Sequence, residues 1–236
     1  MCRVCCGPTT GGYAHCFACR TLLAQLKAPL APVLPVEICP VPSPLYRVLM
    51  GYKESSIGEL RRLLQAGVAK RLTDFYVNHQ VCILAGLGGW AELIVPVPST
   101  VRPPPSPLEQ TLGLSILSLY AAVAGETGRM PYQLLHRTVA SVGHMQADAD
   151  AFAVCPDLAS KVPGARILLF DDTYVSGARS QSAAAALRQA GARRVLIVPL
   201  GRVIRPDKSE AHAQFARRYV DRQPPGRCLR CLRATE

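Results

Sequence analysis

The chain has 236 residues, of which 49% are hydrophobic, and its formal net charge is +11. This length and apolar content allow one substantial core with a small appendage. No uninterrupted apolar run is long enough to cross a bilayer, and the first six residues have no signal-peptide apolar core, so we expect a cytoplasmic protein that does not contact membranes.

Two closely spaced cysteine pairs lie at the start of the chain. Cys2-x2-Cys5 and Cys16-x2-Cys19 are separated by ten residues rich in Gly and Pro. In a reducing compartment such pairs favour metal binding over disulfides, and four thiolates complete the tetrahedral shell of a structural Zn²⁺. We therefore predict that residues 1–27 form a zinc-ribbon-like module.

The other cysteines leave alternatives open. Cys6 and His15 are candidate substitutes for one ligand of the N-terminal site. A third pair, Cys228-x2-Cys231, could complete a second metal site with Cys6 and Cys39, replace one N-terminal pair or remain free. Two further cysteines among apolar residues are expected to be buried in the core: Cys82 and Cys155.

A proline-rich segment follows the first module. Residues 28–44 contain six prolines, which predicts a stiff, extended linker. The main domain is then expected to cover residues 45–236. Near its start, Ser56-Ile-Gly-Glu59 matches a capping box, and the apolar positions after it keep a helical period, so we predict a helix that packs one face on a sheet.

The middle of the chain carries one clear strand and a less regular segment. Residues 93–97 predict a buried strand that ends in a Pro-Val-Pro loop. Residues 109–125 predict a helix and residues 132–135 a strand. Residues 136–150 combine polar side chains with little periodicity, which predicts a mobile loop.

The most informative stretch is residues 167–177, where four apolar residues run into Asp171 and Asp172 and a Ser-Gly step follows. The apolar run suits a strand of a parallel sheet, which delivers both acids to the carboxyl edge of that sheet. The predicted helix of residues 180–190 and strand of residues 195–200 complete a strand-loop-helix-strand unit. Two carboxylates suit the vicinal hydroxyls of a sugar, or Mg²⁺ through water, and the Ser-Gly end suits a phosphate. A ribose 5-phosphate fits both ends.

This stretch resembles the phosphoribosyl-pyrophosphate (PRPP) loop of type I phosphoribosyltransferases: apolar strand, Asp-Asp, three residues, Thr or Ser, and Gly. The order of the Cys-x-x-Cys pairs, Tyr52-Lys53, the strand and loop of residues 93–98 and an irregular segment before Phe152 is similar to the ComF-like branch. The resemblance covers most of the chain. It implies an α/β fold with a phosphoribosyltransferase-like parallel sheet flanked by helices, beside the small zinc-ribbon-like module.

The resemblance also implies roles for individual residues. Asp171 and Asp172 would be the catalytic acids, which orient the ribose hydroxyls and face an oxocarbenium-like transition state, and Mg²⁺ would accompany PRPP. The irregular segment, with Arg137 and Gln146, would cover PRPP and exclude water. The implied PRPP-binding residues are Thr173, Tyr174, Val175, Ser176, Gly177, Ala178, Arg179, Ser99, Thr100, Arg102, Lys53 and His144.

Several residues depart from the family pattern. Val175 stands where purine-using relatives carry an Asp that accepts a proton, so purine salvage is disfavoured. Arg179 replaces a small residue or Thr. A run of prolines from Pro103 to Pro107 replaces a basic stretch that the family uses near pyrophosphate, and Gln110 is a candidate for the family's Gln. We predict a phosphoribosyltransferase whose acceptor is an unidentified small molecule with a nitrogen nucleophile.

Other interpretations fit parts of the sequence. A phosphoacceptor aspartate of receiver type would carry its acid pair after the first strand, whereas this pair lies in the last third of the chain. Residues 193–236 contain eleven Arg or Lys and four Asp or Glu, a net +7, which suits either single-stranded DNA or a solvated Arg-rich helix face. The alternative function is a non-catalytic PRPP-binding accessory protein that acts with single-stranded DNA. The oligomeric state stays open.

Overall fold

The computed structural model of the protein describes residues 1–99, 106–114, 134–138, 143–219, 228, 229 and 231. The strands are β1 Glu37–Pro40, β2 Leu93–Pro96, β3 Leu135–Arg137, β4 Phe152–Val154, β5 Arg166–Tyr174 and β6 Arg194–Ile204. The α-helices of the described residues are α1 Phe17–Leu26, α2 Pro44–Glu54, α3 Gly58–Asn78, α4 Gln80–Leu87, α5 Pro107–Leu114, α6 Ala178–Gln189 and α7 Glu210–Tyr219. Short 3₁₀ helices lie at Ala149–Ala151, Pro156–Lys161 and Pro206–Lys208.

The core is a four-stranded parallel sheet with the strand order β1-β6-β5-β2. Successive residues of β5 point to opposite faces: Ile167 and Leu169 pack on one side, Leu168 and Phe170 on the other. Both faces are covered, which explains why residues 167–170 of β5 and 195–200 of β6 are apolar without alternation. The predicted α/β class with a parallel sheet flanked by helices is confirmed.

Different parts of the chain cover the two faces. The small side chains of α6 pack on one face together with Cys2, Cys5 and Cys19, so the N-terminal module is part of this layer. Helices α2 to α5 contribute Leu49, Leu72 and other apolar side chains to the opposite face. A separate two-stranded antiparallel sheet, β3 with β4, completes the fold. None of the described helices is both long and apolar enough to cross a membrane.

The proline-rich segment is part of the sheet. Within residues 28–44, β1 pairs in parallel with β6 from Glu37 to Pro40, and Val33 bridges Ile197. The expectation of a linker is wrong for these residues. An edge strand tolerates proline, because its outer N–H groups have no ladder partner to lose, so the prolines predict extended backbone correctly but conceal the pairing.

Some element boundaries differ from those that the sequence predicts. Helix α3 begins at Gly58 after Ile57, whose side chain provides no cap, and Ser55 rather than Ser56 accepts the Ile57 N–H at 3.3 Å. Strand β3 begins at Leu135 and shares only that residue with the predicted strand 132–135, of which residues 132 and 133 lie outside the described residues. Helix α5 covers the beginning of the predicted helix 109–125, and residues 115–125 lie outside the described residues. The segment 136–150 supplies most of β3 and part of a 3₁₀ helix.

Replacing Ile38 tests whether β1 belongs to the core. Ile38 is 5% exposed and packs with Ile204 and Phe215, so Ile38→Ala is expected to lower the free energy of unfolding by about 2–5 kcal/mol. Ile57→Ala is the matched control, because Ile57 is 61% exposed and its loss should change stability by at most about 0.5 kcal/mol. Urea denaturation of both variants gives the comparison. Equal, small effects would show that β1 is not part of the packed core.

Candidate functional site

The acid pair lies inside β5. The sequence predicts that the strand ends at Phe170, but β5 continues through Asp171 and Asp172 to Tyr174. Strand β2 runs parallel beside it, with Pro96 opposite Phe170, and the Val97 N–H donates to the Phe170 carbonyl at 2.8 Å. The loop that follows β2 therefore begins next to the two carboxylates, as the carboxyl ends of parallel strands require.

Asp171 is nearly inaccessible to solvent. It is 2% exposed, and one of its carboxylate oxygens lies 2.7 Å from the guanidinium of Arg179. The Ser180 hydroxyl donates to the other oxygen at 2.5 Å, and the Asp172 N–H donates to Oδ1 at 2.9 Å. Both Arg179 and Ser180 stand in the first turn of α6. This helix therefore holds the first acid in place.

Asp172 is bound by α2 and by its own neighbour. Lys53 Nζ lies 2.6 Å from Oδ2, and the buried Tyr52 hydroxyl donates to the same oxygen at 3.0 Å. The Thr173 hydroxyl donates to Oδ1 at 3.0 Å, and Arg179 lies 3.6 Å from that oxygen. Lys53, a PRPP-binding residue by the resemblance, thus contacts the acid pair directly. Tyr52 and Ser180 were not assigned to the site by the sequence reasoning.

The two carboxyl groups differ in how burial and charge affect them. Burial raises the pKa of Asp171 against the opposing effect of Arg179. Burial acts in the same direction on Asp172, but Lys53 and Arg179 together outweigh it and lower the pKa of that group. Burial also raises the pKa of Tyr52 well above its usual value, so its hydroxyl keeps its proton and donates. Two acids and two cations leave the cluster close to neutral.

The loop after β5 turns sharply into α6. Gly177 has φ of +87° and precedes the first helical residue, Ala178, whose N–H lies 3.4 Å from the Ser176 hydroxyl. Val175 is 46% exposed at the tip of the loop. The Tyr174 side chain, in contrast, is fully buried, and its hydroxyl accepts from the Gln181 amide at 3.3 Å. Tyr174 therefore contributes packing: its ring lies against Gly177 of the loop, and its hydroxyl binds Gln181.

The remaining residues that the resemblance implies for PRPP binding lie on two other segments: the loop after β2 and the turn around His144. Ser99 is half-buried just after β2, whereas Thr100 and Arg102 lie outside the described residues. His144 is exposed in a turn. The Gln25 side chain of α1 accepts the Ala147 N–H at 2.8 Å and donates to the Met145 carbonyl at 3.0 Å, so α1 holds the segment around His144.

The N-terminal cysteines form a compact thiol cluster. The sulfur atoms of Cys2, Cys5, Cys16 and Cys19 all lie within 4.8 Å of one another. Hydrogen bonds with Cys16 and, to a smaller extent, Cys19 lower the pKa of Cys5 to about 6. The hydrogen bond between Cys16 and Cys19 raises the pKa of Cys19. Four crowded thiols cannot all ionise by themselves, but a divalent ion compensates their charge. The set can hold a metal such as zinc, in agreement with the sequence prediction.

A buried arginine supports an ionised thiolate cluster. Arg202 of β6 is 5% exposed and has no carboxylate within ion-pair distance among the described residues. Its guanidinium lies 3.6 Å from Cys5 Sγ and donates to the Cys5 carbonyl at 3.2 Å. It also donates to the carbonyls of Tyr174 and Val175, both at 2.9 Å. Because a buried cation needs a compensating charge, thiolate sulfur is its natural partner here.

A second group of metal-ligating side chains joins distant parts of the chain. His79, Cys82, Cys228 and Cys231 place their ligand atoms within 4.8 Å of one another. Cys82, which was expected to be buried in the core, is half-buried and belongs to this group. Two proposed partners of Cys228 and Cys231 lie elsewhere: Cys6 Sγ approaches the Val33 carbonyl at 3.6 Å and Cys39 Sγ lies 3.9 Å from the Ser43 hydroxyl.

The sequence contained an unused signal for this second group. His79-x2-Cys82 has the same spacing as Cys228-x2-Cys231, which is the spacing of paired zinc ligands. A search restricted to cysteine pairs overlooks it because one ligand is histidine. Cys155 is half-buried and lies 3.6 Å from the His136 ring, away from both clusters.

Comparison of the chain with protein-family models, curated proteins and solved structures finds no match. The chemistry of the site therefore has to be argued from its own residues.

The turn at Gly177 can be tested with a matched glycine. A side chain at Gly177 would overlap the Tyr174 ring, whereas Gly164 has a similar φ of +77° and open space around its Cα. Gly164→Ala should cost about 1–2 kcal/mol for the left-handed backbone alone. Gly177→Ala should cost about 1–3 kcal/mol more, because the buried ring must move. Urea denaturation measures both, and equal losses would contradict the close contact.

Arg202 should control metal retention by the N-terminal cluster. Arg202→Met removes the buried positive charge and the hydrogen bond to the Cys5 carbonyl, so zinc affinity is expected to fall about 10–100-fold. Arg205→Met is the control, because that side chain is 62% exposed and pairs with Asp207. Competition with a chromogenic chelator measures the affinity. Equal affinities of the two variants would exclude the counter-ion role of Arg202.

Proposed function

We propose that the protein is a PRPP-binding phosphoribosyltransferase, in which an unidentified nitrogen nucleophile displaces pyrophosphate with the help of Mg²⁺. The observation that carries the proposal is the pair Asp171 and Asp172 at the carboxyl end of β5, between the loop after β2 and the turn into α6. Adjacent carboxylates in this position of a parallel sheet suit the two ribose hydroxyls, which donate to them.

The ion pairs at the acids are compatible with a ligand that carries phosphates. The side chains of Lys53 and Arg179 are 26% and 27% exposed, so both cations reach the surface of the cluster. When ribose hydroxyls bind the carboxylates, these long side chains would turn to the phosphate groups of the same ligand. The cations would keep Asp172 ionised before PRPP binds, and they would already lie close to the phosphate groups of the bound ligand.

The turn into α6 is the proposed site for the 5-phosphate. The first turn of a helix presents backbone N–H groups and the positive end of the helix dipole to an anion. Gly177 lets the backbone approach closely, and the Ser176 hydroxyl and Arg179 add donors at the same end. This arrangement separates the phosphate end of the loop from the sugar end at Asp171 and Asp172.

Pyrophosphate would lie at the loop after β2. Ser99 is at the beginning of this loop, and Thr100 and Arg102 are assigned to it by the resemblance. Asp171 and Asp172 offer oxygen ligands but not a complete shell, so Mg²⁺ would be bound mainly by the oxygens of PRPP. The ion would supply neutralisation of the leaving group's charge.

The proposed reaction breaks the bond between the anomeric carbon and pyrophosphate, whose oxygen keeps the electron pair, and forms a carbon–nitrogen bond. Positive charge develops on the sugar near Asp171 and Asp172, and their fixed negative charges stabilise it. Val175 has no basic atom, so the proton released by the nucleophile goes to water or to a group of the acceptor. Positioning and electrostatics would therefore supply most of the catalysis.

The alternative is an accessory protein that binds PRPP without turnover and acts with single-stranded DNA. Its support is the basic composition of residues 193–236. Within α7, however, Arg217 already pairs with Glu210 at 2.6 Å, and Arg218 lies over the Tyr219 ring. These contacts suit a helix that is stabilised by its own side chains as well as one that binds phosphates. Salt-sensitive retention of single-stranded DNA would favour the accessory role.

The decisive experiment measures PRPP binding by calorimetry in the presence of Mg²⁺. The wild type should bind, and the double variant Asp171→Asn with Asp172→Asn should bind at least about tenfold more weakly, which corresponds to about 1.4 kcal/mol. Asp157→Asn is the control, because Asp157 is exposed on a separate 3₁₀ helix. A wild type that does not bind PRPP would disprove the proposed function.

Pyrophosphate release then separates the enzyme from the accessory protein. A panel of nitrogen nucleophiles should reveal an acceptor that releases pyrophosphate from PRPP, and the double variant should lower this rate by about 10²–10³ because both transition-state charges are lost. Tight binding without release by any acceptor would leave the accessory role.

A further inference from the structure

The second cluster joins the junction of α3 and α4 to the C-terminal end of the chain. We propose that His79, Cys82, Cys228 and Cys231 bind a second, structural Zn²⁺, separate from the N-terminal cysteine site and independent of the proposed function. The four ligand atoms lie within 4.8 Å of one another, although up to 152 residues separate them along the chain.

The distances from Cys231 Sγ to the other three ligand atoms match the edges of a zinc tetrahedron. Zinc bonds of 2.3 Å to sulfur and 2.0–2.1 Å to nitrogen give edges of about 3.8 Å between two sulfurs and about 3.5 Å between sulfur and nitrogen. Cys82 Sγ lies 3.4 Å and Cys228 Sγ 3.6 Å from Cys231 Sγ, and His79 Nδ1 lies 3.5 Å from the same sulfur. A disulfide requires about 2.05 Å, so the sulfurs are spaced for a shared ion.

The helix junction fixes two of the ligands. His79 links α3 to α4: its N–H donates to the Phe75 carbonyl, and its carbonyl accepts the Ile83 N–H, both at 2.9 Å. The imidazole packs on the Phe75 ring with 4.9 Å between the ring centroids, and His79 is 6% exposed. Cys82 follows three residues later, a spacing that puts both side chains on one side of the helix start. The pair is therefore held in place by helical backbone and by packing.

Cys228 and Cys231 are held near the helix junction because residues 228 and 229 are buried on opposite sides of the edge strand β1. Cys228 is fully buried and packs with the apolar side chains under α3 and α4. The next residue, Leu229, is 1% exposed and packs in another cluster with Ile38 and Phe215. These contacts place residues 228 and 229 on the folded domain. They bring Cys228 and Cys231 to the helix junction without relying on the metal alone.

The donor set identifies the class of ion and its role. Three thiolates and one imidazole are the soft sulfur and nitrogen ligands that select zinc over magnesium or calcium. Four protein ligands fill the tetrahedral shell and leave no position for water, so the ion would not act in catalysis. It would bind the C-terminal end of the chain to α3 and α4, on the sheet face that also carries α2 with Tyr52 and Lys53.

Metal content of the full chain, purified anaerobically without added metal, tests the proposal. Elemental analysis should find two zinc ions per wild-type chain. Cys82→Ser combined with Cys231→Ser should retain one, and so should Cys2→Ser combined with Cys5→Ser, because each pair removes half of one ligand set. Cys155→Ser is the control with both ions retained, since Cys155 lies outside both clusters.

The histidine ligand allows a sharper comparison. His79→Ala should lose the second ion, whereas His79→Cys should keep it because a thiolate replaces the imidazole nitrogen. X-ray absorption of the Cys2→Ser, Cys5→Ser variant should show three sulfur ligands and one nitrogen ligand around zinc, the donors of the second cluster. A shell of four sulfurs would contradict the assignment.

Wild-type protein gives a result even if the variants do not fold. Native mass spectrometry should show two bound zinc ions, and alkylation after acid unfolding should modify all ten cysteines. One zinc ion per chain held by four sulfurs, or two unmodified cysteines among Cys82, Cys228 and Cys231, would overturn the proposal in favour of a vacant second cluster or a disulfide. Neither result depends on PRPP binding, so the two proposals fail separately.

Discussion

The buried guanidinium of Arg202 connects the N-terminal cysteine cluster to the loop that follows β5. From β6 it reaches the Cys5 carbonyl and sulfur in the N-terminal module and the Tyr174 and Val175 carbonyls at the end of β5. A buried cation is stable only with charge or dipoles around it, so the thiol cluster and the loop carbonyls are mutually dependent through this side chain. The small cysteine module is therefore part of the structure that shapes the candidate site.

The acid pair shows how a charged site is kept in a protein interior. Asp171 and Asp172 would be costly to bury alone, but Arg179 from α6 and Lys53 from α2 compensate them from opposite sides. The two helices thereby meet at the end of β5. In the proposed complex, the hydroxyls of a phosphorylated sugar would replace Lys53 and Arg179 at the carboxylates, and its phosphates would bind the two released cations.

The sequence determined whether most segments form a helix or a strand, but not where these elements end or which strands pair. The apolar runs of β5 and β6 indicate buried strands, because helices cover both faces of a parallel sheet. Prolines indicate extended backbone in residues 28–44, but pairing with β6 depends on hydrogen bonds from a distant strand. The start of α3 differs from the predicted capping box: Ile57 precedes the helix and offers no side-chain acceptor, and Ser55 binds the Ile57 N–H.

Sequence spacing was sufficient to predict those parts of the site whose ligands or acids lie close together in the chain. The Cys2, Cys5, Cys16 and Cys19 cluster and the Asp171–Asp172 pair could be read from their spacing, since a turn or a strand end brings such residues together. Tertiary structure alone decided that Lys53 meets Asp172, that Arg202 meets Cys5, and that His79 and Cys82 meet the C-terminal cysteines. The physical reason is that these contacts join residues more than a hundred positions apart, and only packing of helices on the shared sheet brings them within bonding distance.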